Sequence, residues 1–178
     1  MKRKIFALIA GTMLAASIGQ AAPLADIQQG ETNIGYDHYD LNHDISSDGF
    51  YLEHALSDKF ILGVDRNNYS DSFFTATDIY AQYKLDPNIR LIAGNRNYSD
   101  RNNGDTNQFF YGVGATVNLA PKLDAYASVT TGSIATEWQT GVSYNLDKQT
   151  AVQVGYKSYK EDNQSTIDGI GFGINHKF

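Results

Sequence analysis

The chain has 178 residues, a formal net charge of −6 at pH 7 and no cysteine. Its acidic balance, with no basic cluster, argues against nucleic acid as a partner, and the lack of thiols excludes disulfides and cysteine chemistry. Sixteen glycines and twelve tyrosines against three prolines are typical of a twisted β-sheet and not of a helical bundle.

The N-terminal stretch over residues 1–21 has the three parts of a secretory signal peptide. Three positive residues come first, residues 5–18 are apolar, and Gly19 and Ala21 are the small residues expected before a cleavage site. A membrane anchor is the alternative, but the apolar run is too short and no stop-transfer pattern follows it. We therefore predict cleavage after Ala21 and a single domain over 22–178.

A leucine followed by a short polar turn and a strand recurs four times along this domain. Leu56 opens the first copy and Leu85 the second, and both copies end in Asn-Tyr-Ser-Asp. Fainter copies begin at Leu119 and Leu146. Self-similarity of this kind marks a repeated supersecondary unit, here a β-hairpin, and predicts an up-and-down antiparallel sheet.

Beyond the signal, apolar and polar residues alternate in nearly every segment, which indicates strands. The alternation predicts ten strands, over residues 31–41, 49–57, 59–68, 75–85, 88–98, 107–119, 122–131, 136–146, 149–159 and 167–178. The seventh has the weakest pattern, so eight strands are the alternative.

Two kinds of connection join the predicted strands. Four short turns share one rim with both termini, while five longer connections, rich in Asn, Asp, Ser and Gly, share the other. The longer connections are predicted over residues 42–48, 70–74, 99–106, 132–135 and 160–166.

The two faces of the sheet differ, because side chains two residues apart share a face of a strand. In the eighth strand, Val142 and Leu146 lie on one face and Glu137 and Ser143 on the other. The apolar face has aromatic residues near both strand ends, namely Tyr36, Phe50, Phe109, Tyr111, Trp138 and Tyr156 toward the longer loops and Phe60, Tyr83, Tyr144 and Phe178 toward the turns. The polar face has glycines and charges of both signs, namely Asp37, Glu53, Asp65, Asp78, Lys84, Arg90, Arg96, Asp124, Glu137, Lys157 and Lys177.

This distribution separates two kinds of barrel. A soluble, lipocalin-like barrel turns its apolar face inward, whereas a membrane barrel turns it toward lipid and keeps a polar interior. Two aromatic girdles flanking Val, Ala, Leu and Ile match the two interfaces of a bilayer. We therefore predict an all-β, up-and-down antiparallel transmembrane β-barrel whose lumen is lined by the charged residues of the polar face.

The last nine residues, Ile170 to Phe178, alternate apolar residues with small or polar ones and close on a phenylalanine. This strand resembles the last strand of bacterial outer-membrane β-barrel proteins, and the whole mature chain resembles the small OmpA/OmpX-like barrels. The resemblance implies location in the outer membrane of a Gram-negative cell, with short periplasmic turns and longer outer loops. It also implies outer-membrane lipids and lipopolysaccharide as neighbours, and the barrel assembly machinery as a partner that reads Phe178. Those barrels have eight strands and three inner turns, whereas four inner turns are counted here.

Few residues offer chemistry for a reaction. His43 and Asp44 lie in the first long connection with Ser46 and Ser47, and outer-membrane acyl hydrolases and omptin-like proteases place such groups at their outer rim. A solvated loop is the simpler interpretation. The Asp-rich stretch 100–105 lacks the ligand spacing of an EF-hand. We therefore predict no catalytic residue, no metal site and no cofactor.

The lumen charges are compatible with two functions. They pair across a narrow interior as structural elements, or they line a selective pore. Eight strands leave an interior that side chains just fill, and ten strands are close to that size. Large residues also point inward, namely Tyr51, Ile61, Tyr80, Ile92, Phe110 and Tyr126. We predict a mostly plugged barrel with a structural or surface-interaction role. A narrow pore is the alternative, and an outer-membrane lipid-modifying enzyme or protease is a more distant one; the ligand and the oligomeric state are left open.

Overall fold

A computed structural model of the chain describes residues 24–70, 74–100, 104–161 and 164–178. The predicted signal peptide lies outside these residues, so its cleavage stays a prediction. Within the described ranges, no helix is long and apolar enough to cross a membrane.

The structure is a closed barrel of ten antiparallel strands in up-and-down order, which confirms the predicted fold and strand count. The strands are β1 Thr32–Leu41, β2 Ser46–Ala55, β3 Phe60–Tyr69, β4 Phe74–Lys84, β5 Ile89–Asp100, β6 Gly104–Ala120, β7 Leu123–Gly132, β8 Ala135–Asn145, β9 Thr150–Glu161 and β10 Ile167–Lys177. Each strand pairs with the next, and β1 pairs with β10 to close the sheet. At this seam Thr32 and Phe178 exchange backbone hydrogen bonds of 3.2 and 2.8 Å.

Three of the four short turns have the same hydrogen-bond pattern. The amide nitrogens of Leu56, Leu85 and Leu146 each donate to the carbonyl oxygen four residues later, at 2.9 Å. In two of these turns the carboxylates of Asp86 and Asp147 also accept backbone amides two and three residues on. These bonds favour the charged carboxylate, so they hold the pKa of Asp147 below its ordinary value.

The turn between β6 and β7 differs from the other three. The register shifts between Asn118 and Ala120, as it does at a β-bulge. Lys122 adopts a φ of 70°, in the left-handed region. The bulge interrupts the period-2 alternation only at the end of β6.

At the opposite rim, which we call the loop rim, the strands extend further than predicted and the connections are shorter. The first connection covers only residues 42–45, because β2 begins at Ser46 and not near residue 49. The β5–β6 ladder likewise continues to the pair Asp100 and Gly104. Ser46 and Ser47 therefore belong to a strand, and the loop that was predicted to hold them together with His43 is not formed.

Burial alternates along the strands, with the polar face inside. Every second residue of β3 is buried from Ile61 to Tyr69, and the residues between are exposed. On the outer surface, Ile79 is 69% exposed and Phe172 58% exposed, while the charged residue Arg96 is 2% exposed. The apolar outer surface and polar interior are the arrangement of a membrane barrel and the reverse of a soluble one.

Candidate functional site: the lumen

The lumen contains most of the charged residues assigned to the polar face. Eight of them are buried, namely Asp37, Glu53, Asp65, Asp78, Arg90, Arg96, Glu137 and Lys157. Lys84, Asp124 and Lys177 are partly exposed. They lie close to the rim that carries the short turns, which we call the turn rim.

A group of four charges, which we call the ionic network, joins opposite walls of the lumen. Arg96 binds Asp78 in a bidentate pair, with Nε–Oδ1 at 2.6 Å and Nη2–Oδ2 at 2.5 Å. Arg96 Nη1 also lies 3.7 Å from Glu137 Oε2, and Lys157 Nζ lies 3.4 Å from Glu137 Oε1. Because buried charges are costly unless they are paired, the two bases and the two acids of the network stabilise each other through these opposite-charge contacts.

Strand register positions only part of the ionic network. Asp78 and Arg96 are direct cross-strand partners on β4 and β5, so their pairing follows from the β4–β5 hairpin. Glu137 is on β8 and is not adjacent to either strand in the sheet. Its contact with Arg96 crosses the lumen and depends on the closure of the barrel.

A second polar group is centred on the buried carboxylate of Glu53. Its oxygens accept hydrogen bonds from Gln82 Nε2 at 2.7 Å, Tyr80 Oη at 3.2 Å and Asn33 Nδ2 at 3.3 Å. Arg90 Nη1 in turn donates to Gln82 Oε1 at 3.0 Å. The group therefore joins β1, β2, β4 and β5 through side chains.

Toward the loop rim the lumen is occupied by aromatic residues, which we call the tyrosine cluster. Its members are Tyr39, Tyr69, Tyr98 and Tyr159, packed with Leu41, Ala76 and Ala135. Phe74 stacks on Tyr69 at 4.4 Å between ring centroids, and Lys157 of the ionic network lies 5.1 Å from the ring of Tyr39. The cluster thus covers the ionic network on the loop side.

The tyrosine cluster was absent from the predicted inward residues, although the sequence contains the signal for it. Stepping by two from Ile61, which was predicted to face inward, leads along β3 to Tyr69. The prediction treated Tyr69 and Tyr98 only as markers of the repeat. The strands also run to these residues and beyond, so positions expected near a loop lie inside the barrel.

Above the tyrosine cluster a cavity of about 530 Å³ is present at the loop rim. Tyr98, Tyr159 and Phe74 contribute to its lining, together with Ile134 and Ile167. The cavity therefore ends on the aromatic side chains that cover the ionic network.

Toward the turn rim, large apolar and aromatic side chains fill the lumen beside the polar group centred on Glu53. All six large residues predicted to face inward are buried there, namely Tyr51, Ile61, Tyr80, Ile92, Phe110 and Tyr126. Glycines make room for the rings, since a Cβ added at Gly63 would lie 2.3 Å from Tyr80 Cζ. Tyrosine rings can lie flat against the wall only where the wall has no side chain.

A segment before β1 also enters this part of the lumen, and the sequence prediction missed it. Residues Leu24–Gln29, which we call the N-terminal plug, bring two buried apolar side chains into the barrel. Leu24 is 8% exposed and Ile27 is 0% exposed. Gly30, with a φ of 85°, turns the chain from the plug toward β1. The sequence of the plug has no apolar–polar alternation and no repeat, so no local sequence pattern predicts it.

The hydrolytic residues considered at the outer rim are not assembled. His43 Nδ1 forms its hydrogen bond with Asn42 Oδ1 at 2.8 Å. Ser47 is fully buried on the lumen side of β2 and contacts Asn67. In the part of the chain that the structure describes, no three His, Cys, Asp or Glu residues are grouped to hold a metal ion.

These features define the class: an outer-membrane type of β-barrel, closed, antiparallel and apolar outside. Within that class the chain belongs to the Gram-negative porin family, whose sequence model matches residues 28–164. The protein is therefore a porin-like barrel of the bacterial outer membrane. The narrower resemblance to OmpA/OmpX-like barrels stays a prediction.

Solved structures of outer-membrane barrels are similar in fold. The N-terminal β-barrel domain of Pseudomonas aeruginosa OprF has 12% identity and a TM-score of 0.47, covering 85% of this chain and 100% of that one. The NanC porin has 9% identity and a TM-score of 0.48, covering 83% and 99%. The KdgM porin in complex with disordered oligogalacturonate has 13% identity and a TM-score of 0.47, covering 82% and 99%. No protein with a curated description matches the sequence.

Proposed function

We propose that this member of the porin family is a closed barrel with a structural or surface-interaction role in the outer membrane. The observation that carries the proposal is the filling of the lumen at successive levels. The tyrosine cluster, the ionic network and the plug each place fully buried side chains in the interior, including Tyr159, Glu137 and Ile27 at 3%, 0% and 0% exposure.

We assign partners to two features of the barrel, its outer surface and its terminal strand. Outer-membrane lipids and lipopolysaccharide surround the apolar surface, and the barrel assembly machinery reads the strand that ends at Phe178. The proposal also includes the absence of enzymatic activity. That part is supported by the partners of two residues considered for hydrolysis, since His43 bonds to Asn42 while the buried Ser47 contacts Asn67.

A narrow pore is the second candidate, and two observations favour it. The chain belongs to a porin family, and a cavity of about 530 Å³ already occupies the loop rim. Conduction would require a path through the levels of the ionic network and the plug, and it would also require the tyrosine cluster to move aside, because Tyr98 and Tyr159 line the inner end of that cavity. Both residues are on strands, so this movement would be one of side chains.

Conductance of the purified protein in planar lipid bilayers separates the two functions. The closed barrel is expected to insert without a steady current above the bare membrane. The variant Tyr98→Ala, Tyr159→Ala serves as the comparison, because it removes two rings below the cavity and keeps all four charged residues of the ionic network. A steady wild-type current would reject the closed barrel in favour of the pore.

A further inference from the structure

The N-terminal plug fits into the turn-rim half of the lumen through two apolar side chains. Leu24 belongs to the buried cluster of Tyr80, Ile92, Phe110 and Tyr126. Ile27 packs with Ala55 and Ile61. The wall opposite Leu24 is shaped to receive it, since a Cβ added at Gly114 would lie 2.7 Å from both Leu24 δ-methyl groups.

Three basic side chains, which we call the basic triad, bind the same segment from the wall. Lys84 Nζ donates to the carbonyl oxygen of Ile27 at 2.6 Å and lies 3.3 Å from the Asp26 carboxylate. Lys177 Nζ donates to the carbonyl oxygen of Asp26 at 3.0 Å. Arg90 Nη2 lies 3.9 Å from Asp26 Oδ1, and this buried nitrogen makes no hydrogen bond within the described chain.

The plug is attached to the barrel by side chains and not as part of the sheet. Among the described residues, no backbone–backbone hydrogen bond joins residues 24–29 to a strand. The nearest such bond follows the plug, from the Gly30 amide to the Ala55 carbonyl at 2.8 Å. The segment thus has the contacts of a bound peptide: apolar anchors in pockets and charged groups on its acid and carbonyls.

We propose that the turn-rim half of the lumen is a peptide-binding site, occupied in this structure by the chain's own N-terminal plug as an exchangeable ligand. The site takes an extended peptide in which an acidic residue lies between apolar ones, as in Leu24, Asp26 and Ile27. The apolar side chains of the peptide fix its position in the lumen, and the basic triad favours a peptide with an acidic residue between them. This binding does not depend on whether the barrel conducts.

The absence of native cysteine allows a direct test by thiol labelling of the folded, detergent-solubilised full chain. Ala55→Cys places a thiol beneath Ile27, at a position that is 0% exposed. Lys148→Cys, in an exposed turn, provides the reference labelling rate. A polar maleimide is expected to label the thiol at position 55 much more slowly than the one at position 148.

Adding Asp26→Lys to the Ala55→Cys chain sets a positive charge against the basic triad and is expected to raise the labelling rate several-fold. Asp58→Lys makes the same change of charge in an exposed turn and is expected to leave the rate unchanged. The free peptide Leu-Ala-Asp-Ile-Gln-Gln should then slow labelling of the Asp26→Lys chain. The same peptide with Lys in place of Asp should not.

Each contrary outcome overturns the proposal. If position 55 reacts as fast as position 148 in the parent chain, the plug is not docked. A second variant, Leu24→Asp, puts a charge on the buried apolar anchor of the plug. If labelling stays slow in both Asp26→Lys and Leu24→Asp, the plug is not exchangeable. If either variant loses the gel migration of the folded form, the plug is part of the framework. If labelling accelerates but the free peptide has no effect, the site does not bind peptide in trans.

Discussion

At the scale of single residues, the lumen depends on charges that are buried and paired. Arg96 makes a bidentate pair with Asp78 and a longer contact with Glu137, and all three side chains are at most 6% exposed. The alternation of side chains between the two faces of a strand predicted that these three residues would face inward. The partner of each charge could not be predicted, because the contact with Glu137 depends on how far the sheet curls before it closes.

Removing the Arg96 charge should destabilise the barrel strongly. Arg96→Gln leaves Asp78 buried without its partner, and breaking a buried pair in this way costs about 3–5 kcal/mol. Urea titration of the protein in lipid vesicles measures this loss. Arg66→Gln removes the same charge from an exposed position on the outer surface and is the matched control. Equal stability of the two variants would show that the ionic network does not hold the walls together.

At the scale of elements, the strands were the most predictable part of the molecule. Alternation predicted all ten strands and the repeated turn predicted the four short connections, because each depends on residues within one hairpin. The plug could not be found in this way. Its pockets are formed by residues of β2 to β7, so its position is a property of the closed barrel.

The assignment of faces in β8 can be tested by moving one charge by one residue. Val142 is 40% exposed on the outer surface, while the side chain of Ser143 lies on the lumen side opposite Asp124 of β7. Val142→Arg places a charge against lipid, at a cost that reaches about 2–4 kcal/mol at the bilayer midplane.

Ser143→Arg gains an acidic neighbour and is expected to cost less. Folding into lipid vesicles, followed by gel migration with and without boiling, compares the two variants. Because they differ by one position, charge and strand propensity are controlled together. Greater damage from Ser143→Arg would mean that the outer surface of the barrel is not the face that meets lipid.

At the scale of the whole molecule, the barrel is closed by a seam between its first and last strands. Phe178 exchanges two backbone hydrogen bonds with Thr32, and its ring lies 4.7 Å from that of His176. Phe178 thereby contributes both to the seam and to the aromatic residues at the turn rim.

Deletion of Phe178 is expected to lower the yield of folded barrel, because it removes two seam hydrogen bonds and an aromatic anchor. The fraction that migrates as the folded, unboiled form on a detergent gel measures the yield. Phe178→Tyr keeps the backbone and an aromatic ring and should fold as the parent does. Normal yield from the shortened chain would exclude a role of the last residue in closure or assembly.

The pairing of β1 with β10 also determines when the barrel can close during synthesis of the chain. A chain leaves the ribosome N-terminus first, so β1 exists long before β10, its partner at the seam. Until β10 is made, one side of β1 presents unpaired backbone N–H and C=O groups. Any open sheet of fewer strands has two such unpaired edges. Closure of this barrel therefore has to wait for the last strand, and until then the edges of the sheet can pair with other copies of the chain.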